Sequence, residues 1–514
     1  MAVFEFVLLL LVAAVLLSAL ARAVKLPYPA LLALAGAGLA LLPVRAPFQL
    51  DPVLALALFV SPVLLDAAYD TSLRDLKANW LPVTSLVLGA VLLTIAVVSV
   101  VARAIIPDLP WSAAMVLGAI VAPPDAAAAT AVLNQVRPPH RIMMILGGES
   151  LLNDASALLI YKLALNATLA GGLIPVRDVA LVFSLSVVGS LVVGPLLART
   201  YLWVPRLKDV PSSIILQFVG TFGVWILAER LGLSPILTVV AYAMTIARYA
   251  PAQSPARMRI PSYAVWETVV LILNTLAFVL VGLQLRPLLS AASGNEIRRW
   301  IGFAATVLVV VILVRILWVM SCNGLARLWQ SRGRRQGSQG NQTTWQTGVT
   351  ISWSGMRGIV TLATALALPA HFPHRDLLLF TAFLVVIGTL VVQGITLRPL
   401  LLWLSMPDDG AVEREMRAAR VKLAEAALQV LATKEGLEVE ELRREFQTQR
   451  EFARQTEEGD GRAFLKGQEL RRQTLKRRRE ILLRLREKDF LGDDAFHRLE
   501  EELDYSELSA ERGM

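Results

Sequence analysis

Long apolar segments alternate with short polar ones along most of the chain. An α-helix needs about 20 apolar residues to cross a bilayer. Thirteen segments approach that length, which predicts an all-α polytopic membrane protein with about 13 transmembrane helices. The segments fall near 2–21, 26–44, 50–68, 81–104, 111–133, 140–166, 178–203, 211–229, 232–248, 262–286, 300–326, 345–369 and 377–404.

The first segment also has the length of a signal peptide. It lacks the basic start of such a peptide, however, and Glu5 stands there instead. We therefore interpret residues 2–21 as the first membrane helix.

The composition changes abruptly after Pro407. The chain is 55% hydrophobic and has a mean hydropathy of +0.58, which is typical of a multi-span membrane protein. Residues 1–407 hold 28 Lys+Arg and 15 Asp+Glu, whereas residues 408–514 hold 22 and 26. The basic excess of the membrane part favours contact with anionic lipid and not with nucleic acid. We predict a transmembrane domain at 1–405 and a charged, helical cytoplasmic tail at 406–514.

The charges of the loops predict the orientation. Loops after the odd-numbered segments 1 to 11 hold sixteen Lys and Arg residues, and the alternate loops hold eight. Because cytoplasmic loops are the more basic ones, we place the N-terminus outside and the C-terminus in the cytoplasm of a cell-membrane protein. The basic, glycine-rich stretch 331–341 is then a flexible cytoplasmic linker.

Two apolar segments are interrupted at matching positions. Thirteen segments suggest two inverted repeats of six helices and one linking helix, so segments 5 and 12 correspond. Pro123 and Pro124 break the first, since proline removes a backbone donor, and Gly355 and Gly358 break the second. Interrupted helices at corresponding positions indicate a transporter site near the membrane midplane. One break carries an anion, Asp125, and the other carries Arg357.

The sixth segment contains two carboxylates, Glu149 and Asp154. Five residues of helix separate them by about 140°, so we expect different roles. Ionisable groups at membrane depth mark ion pathways, and we assign Asp154 to binding of the ion and the proton. Glu149 needs a permanent partner. Arg357 lies near a break and is the predicted one, and Arg315, in an unbroken segment, is the other candidate.

The oxygens near the breaks suit a hard monovalent cation. Asp154 and Asp125 are the predicted Na⁺ ligands, and Ser150, four residues before Asp154, shares its helix face. A cation and a proton would compete for one carboxylate, which predicts obligatory exchange. The neutral neighbour Asn153 supplies no further carboxylate, so we expect electroneutral exchange of one ion for one proton. Glu267 either lines an aqueous funnel or caps a helix.

These residues carry a family resemblance. The run Gly-Gly-Glu-Ser-Leu-Leu-Asn-Asp at 147–154, with Pro-Pro-Asp-Ala at 123–126, resembles the cation:proton antiporter family. Within it, the pair Asn153-Asp154 resembles the monovalent Na⁺/H⁺ exchanger branch. Trp-Ser-Gly-Met-Arg-Gly at 353–358 is a further match, and the resemblance covers roughly 1–405.

The resemblance implies a homodimer in which a core domain, including about 81–166 and 300–404, moves against a dimerisation domain. It implies Asp154 as the essential carrier, Asp125 and Ser150 near the ion, Asn153 as a bridge between the crossed helices and a Glu149–Arg357 ion pair. Many members have threonine where this chain has Pro124, so one ligand is missing here.

Two other functions are compatible with paired membrane aspartates. An intramembrane aspartyl protease would use two aspartates as an acid/base dyad, and a cation channel would pass ions without a proton. The aspartates here follow Pro124 and Asn153, whereas such proteases resemble Tyr-Asp and Gly-x-Gly-Asp sequences. A channel has no need of a buried, ion-paired arginine. We therefore predict an antiporter with no enzymatic activity and no cofactor, whose partners are the transported cation, the proton and the bilayer.

Overall fold

The computed structural model describes residues 2–24, 27–41, 52–170, 176–203, 209–250, 254–291, 293–332, 344–406, 408–455, 473–485, 499–500 and 502–507. These residues form α-helices joined by short turns, without a strand. The all-α prediction is confirmed. The helices before the first break are α1 (Ala2–Val24), α2 (Tyr28–Leu41), α3 (Pro52–Asp70), α4 (Leu73–Ala78), α5 (Trp80–Thr84) and α6 (Val91–Ile105).

A π-helical segment, Ser85–Ala90, joins α5 to α6. The helices that follow are α7 (Trp111–Val121), α8 (Ala126–Val136), α9 (His140–Leu169), α10 (Val176–Trp203), α11 (Val210–Arg230), α12 (Pro235–Tyr249), α13 (Ala256–Ala291), α14 (Gly294–Arg332), α15 (Trp345–Trp353), α16 (Ile359–Leu366) and α17 (Arg375–Leu404).

The predicted apolar segments coincide with these helices. Seven described helices are long and apolar enough to cross a membrane, and several shorter apolar ones accompany them. The number of thirteen transmembrane helices and their inverted repeats therefore stay predictions. Most of the predicted linker at 331–341 lies outside the described residues.

One half of each broken helix, α7 in the first and α16 in the second, is mostly buried. Segment 5 consists of α7 and α8, separated at 122–125, and segment 12 consists of α15 and α16, separated at 354–358. In α7, Ala113, Ala114 and every residue from Val116 to Val121 are buried. The short half-helices thus lie inside the bundle, where other helices can compensate their free ends.

The chain divides into two compact units, residues 1–409 and 410–514. In the second unit, α18 (Ala411–Leu431) contacts α19 (Leu437–Gln455). An ion pair joins Glu425 to Arg454 at 2.6 Å. Both helices are mostly exposed and charged, which is typical of a solvated helical hairpin.

Candidate ion-binding site

The two breaks touch each other. The backbone N–H of Asp125 donates a hydrogen bond to the carbonyl of Met356 at 2.6 Å. Residues of the two interruptions, 231 positions apart in the chain (356 − 125), therefore meet at one point. This crossing supplies free backbone groups in a buried region, and such groups need polar or charged partners.

The Asp125 carboxylate lies at the start of α16. A methyl group on the α-carbon of Gly358, which precedes α16, would overlap the Asp125 side chain. The N-terminus of a helix carries partial positive charge and exposed N–H groups, so a carboxylate is stabilised there. Glycine at 358 allows this close approach.

Asn153 connects α9 to the first break. Its amide nitrogen donates to the carbonyl of Pro124 at 2.9 Å, and its side chain is fully buried. Its amide oxygen has no hydrogen-bond partner within the described ranges. The bridge that the resemblance implied is thus present as one hydrogen bond, and one buried acceptor stays free.

Asp154 is buried beside Asp125. Its residue is 6% exposed, and within the part of the chain that the structure describes no hydrogen bond or ion pair to its carboxylate occurs. The two aspartates lie within electrostatic range of each other. Ser150 is half-buried one helical turn before Asp154 and makes a polar contact of its own. A buried carboxylate without a partner is suited to alternate between a proton and a cation.

Glu149 pairs with Arg315, which corrects the predicted Glu149–Arg357 pair. Arg315 Nη1 and Nη2 donate to the two carboxylate oxygens at 2.5 and 2.8 Å, and the residues are only 3% and 1% exposed. The same guanidinium donates to the carbonyls of Ile351 and Ser352 at 3.1 and 3.2 Å. The predicted partner was wrong because an arginine near a helix break can donate to free backbone carbonyls instead of a carboxylate, and Arg357 does so.

Arg357 donates hydrogen bonds at the first break. Its Nε donates to the carbonyl of Val121 at 3.1 Å, and Nη1 donates to the carbonyl of Gly355. Its own backbone N–H donates to Thr389 Oγ1 at 3.0 Å. Arg357 is 1% exposed and thus compensates the C-terminal end of α7 from the opposite break.

The breaking residues occupy the positions that the sequence indicates. Pro123 and Pro124 follow the last turn of α7, and because proline has no N–H, carbonyls there lack an intrahelical donor. Gly355 gives room to Arg315, since a methyl group there would overlap the arginine side chain. Ser354 Oγ in the second break and Thr361 Oγ1 in α16 are buried without a hydrogen-bond partner among the described residues. Such polar atoms are usually completed by a water or an ion.

Glu267, for which the sequence left open a funnel wall or a helix cap, lies on the wall of a cavity between α3 and α13, whose other members were not predicted. Asp66 and Asp70 of α3 and Glu267 of α13 lie on its wall. Glu267 stands within α13 and does not cap it. The four-residue spacing of Asp66 and Asp70 at the end of an apolar segment was the available signal. No cluster of three or more His, Cys, Asp or Glu side chains within the described ranges could hold a resident metal.

A helical membrane protein in which two broken helices cross beside a buried, unpaired carboxylate has the organisation of a secondary transporter. The chain belongs to the transmembrane sodium/hydrogen exchanger family, whose model matches residues 7–403. This is a transporter family.

Two curated relatives and one solved structure are similar over most of the chain. An uncharacterised Na⁺/H⁺ exchanger of Mycobacterium tuberculosis is 32% identical over 443 residues, which cover 83% of this chain and 79% of the relative. A sodium, potassium, lithium and rubidium/H⁺ antiporter of Bacillus subtilis is 31% identical and covers 68% of this chain and 54% of its own length. The sodium proton antiporter MjNhaP1 of Methanocaldococcus jannaschii shares the fold, with a TM-score of 0.60 at 18% identity, covering 79% of this chain and 99% of that one. The protease and channel alternatives gain no support from these similarities.

Proposed function

We propose that the protein is a secondary antiporter that exchanges Na⁺, or K⁺ or Li⁺, for H⁺ across the membrane by alternating access around Asp154. The observation that carries this proposal is the contrast between two buried acids on α9. Glu149 is neutralised by Arg315, whereas Asp154 has no cation or donor within the described residues. Only Asp154 is therefore available to exchange its counter-ion.

The ligand set proposed for the cation is Asp154, Asp125, Ser150 and the free acceptor of Asn153. Carboxylate, hydroxyl and carbonyl oxygens suit a hard cation. Pro124 supplies a carbonyl but no hydroxyl, and that carbonyl already accepts from Asn153. The site thus has one side-chain ligand fewer than the threonine-containing family members that it resembles. A cation site with fewer side-chain ligands favours weaker selectivity among monovalent cations. The name of the B. subtilis relative likewise includes several cations.

Exchange by purified protein in liposomes tests the assignment. A pH-sensitive dye inside the vesicles reports proton movement when Na⁺, K⁺ or Li⁺ is added outside. Asp154→Asn should abolish the signal for every cation, because an amide cannot carry a proton at neutral pH. Asp108→Asn, a matched change in an exposed turn, should leave it intact.

Near wild-type exchange by Asp154→Asn would refute the role of Asp154. Cation flux without proton movement would indicate a channel. Both variants should elute and melt like the wild type, so that loss of signal reports the site.

We further propose electroneutral exchange of one cation for one proton. Asp125 stays ionised at the start of α16, and Asn153 adds no charge, so only Asp154 changes protonation. A membrane potential imposed with K⁺ and valinomycin, in vesicles that exchange Na⁺, should then leave the rate unchanged. A rate that follows the potential after leak subtraction would require a second titrating group.

The working protein proposed here is a homodimer in the cell membrane, with the N-terminus outside and the C-terminus in the cytoplasm. The support is the family membership and the basic loops. A cysteine introduced at exposed Asp108 should react with impermeant reagent added to intact cells, and one introduced at exposed Glu413 should react only in inside-out vesicles. Labelling of both from one side would refute the topology.

A further inference from the structure

A cavity of about 570 Å³ shares no lining residue with the crossed breaks. Its wall comes from α3, α10, α11, α12 and α13, together with residues just beyond α12. Cavities of 300–1,000 Å³ are typical of sites for small organic molecules. A bare monovalent cation with its oxygen ligands needs far less space.

Aromatic rings form much of the wall. Tyr69 and Tyr263 meet edge to face with ring centroids 6.0 Å apart, and Tyr201 and Tyr242 do so at 6.1 Å. Trp266 also lines the cavity. Rings at steep angles to each other present faces in several directions, which is the arrangement that surrounds an organic ammonium group by cation–π attraction.

The charged groups on the wall are mainly acidic. Asp66, Asp70 and Glu267 line the cavity, and Arg259 is the arginine among the lining residues. Asp70 and Glu267 each lie within electrostatic range of Asp66. Repulsion between them is relieved when a cation enters.

One tyrosine hydroxyl on the wall has no protein partner among the described residues. Tyr242 is 2% exposed, and no hydrogen bond to its hydroxyl occurs among the described residues. A methyl group on Gly220 would come within 2.7 Å of that hydroxyl oxygen, so α11 leaves room for it. Inside a cavity, such a hydroxyl takes water or a ligand as its partner.

We propose that this cavity binds an organic ammonium cation through its aromatic rings and carboxylates, with the Tyr242 hydroxyl taking a polar group of the ligand. Na⁺ prefers oxygen ligands and gains little from five aromatic side chains. Tyr263 is 48% exposed, so the ligand reaches the cavity from the surface. The source of the ammonium group is either a free solute or a lipid headgroup.

The test is calorimetric titration of choline into purified protein in nanodiscs of phosphatidylglycerol, which has no ammonium group. Saturable binding is expected, and the neutral isostere 3,3-dimethylbutan-1-ol should not bind at the same concentrations. Tyr263→Leu and Asp70→Asn should each lower the affinity for choline at least about tenfold, which is equivalent to about 1.4 kcal/mol of binding free energy. Tyr249→Leu, an exposed tyrosine outside the cavity, and Asp108→Asn should not. Binding does not depend on transport, so this result is separate from the antiport assay.

Three results would overturn the proposal. They are equal affinity for the isostere, unchanged affinity in both cavity variants, and displacement of choline by an equal concentration of Na⁺. The last would make the cavity an entrance for the transported ion. Nanodiscs with phosphatidylethanolamine distinguish the source, since weaker choline binding there shows that a lipid headgroup occupies the same cavity. Tyr242→Phe should lower the affinity for choline and leave the affinity for tetramethylammonium, which has no hydroxyl, unchanged. An unchanged choline affinity would reject the role of the Tyr242 hydroxyl.

Discussion

The two broken helices obtain their compensating charges from different places. At the first break, the carbonyl end of α7 receives Arg357 from the second break. At the second, the carbonyl end of α15 receives Arg315 from the uninterrupted helix α14, while Asp125 of the first break faces the start of α16. Each break thus supplies a charged side chain to a helix end of the other, and the second break is also compensated by Arg315 of α14.

This difference separates structural charges from the exchangeable one. Arg315 contacts both the α15 carbonyls and Glu149, so Glu149 is held at a fixed place on α9. Asp154, on the same helix, lies at the crossing without such a partner among the described residues. Fixing one acid leaves the other as the group that can take up and release ions.

The largest stability effect is expected for Arg315. Arg315→Gln leaves Glu149 as an uncompensated buried charge, which costs about 3–5 kcal/mol. Glu149→Gln in the same chain should recover a clear part of this loss, because the unpaired charge is then gone. Thermal melting of the purified single and double variants measures both effects.

Arg357 provides the matched comparison. Arg357→Gln leaves carbonyls of Val121 and Gly355 without their donor, at roughly 1–3 kcal/mol, but leaves the Glu149–Arg315 pair intact. Its combination with Glu149→Gln should therefore show much weaker coupling. Recovery in the Arg357 double variant and none in the Arg315 double variant would restore the pairing that the sequence suggested.

Gly358→Ala tests whether the Asp125 carboxylate of the first break must lie at the start of α16 in the second. The added methyl group overlaps the Asp125 carboxylate and should displace it from the start of α16, with an overpacking cost of about 1–3 kcal/mol. We expect loss of exchange in the liposome assay with a folded protein. Gly147→Ala is the control, since no atom lies within 4 Å of a methyl group there. Normal exchange by Gly358→Ala would show that Asp125 need not occupy this position.

The sequence pattern was sufficient to predict the two helix breaks but not the side chains that pair with the charges around them. Pro123, Gly355 and the acids of α9 are local signals, because proline, glycine and charge are costly within an apolar helix and therefore mark a break or an ion site. The choice between Arg315 and Arg357 depends on how α14 lies against α9, and 166 residues separate Arg315 from Glu149 in the chain. The cavity likewise requires α3 and α13 to meet, and the spacing of Asp66 and Asp70 indicates one acidic helix face but not the helix that it contacts.

The smallest effect is expected at Thr389, which supports the second break from α17. Its Oγ1 accepts from the backbone N–H of Arg357 at 3.0 Å in a fully buried environment. Thr389→Val keeps the shape and removes the acceptor, so one buried donor loses its partner at a cost of roughly 1 kcal/mol. Thr381→Val on the same helix is the matched control, because among the described residues the Thr381 hydroxyl donates only to the Leu377 carbonyl one turn before it. We therefore expect Thr389→Val to melt at a lower temperature than Thr381→Val and to exchange more slowly, since the backbone around Arg357 loses its attachment to α17. Equal melting temperatures would mean that the break is held by the Arg357 side chain alone.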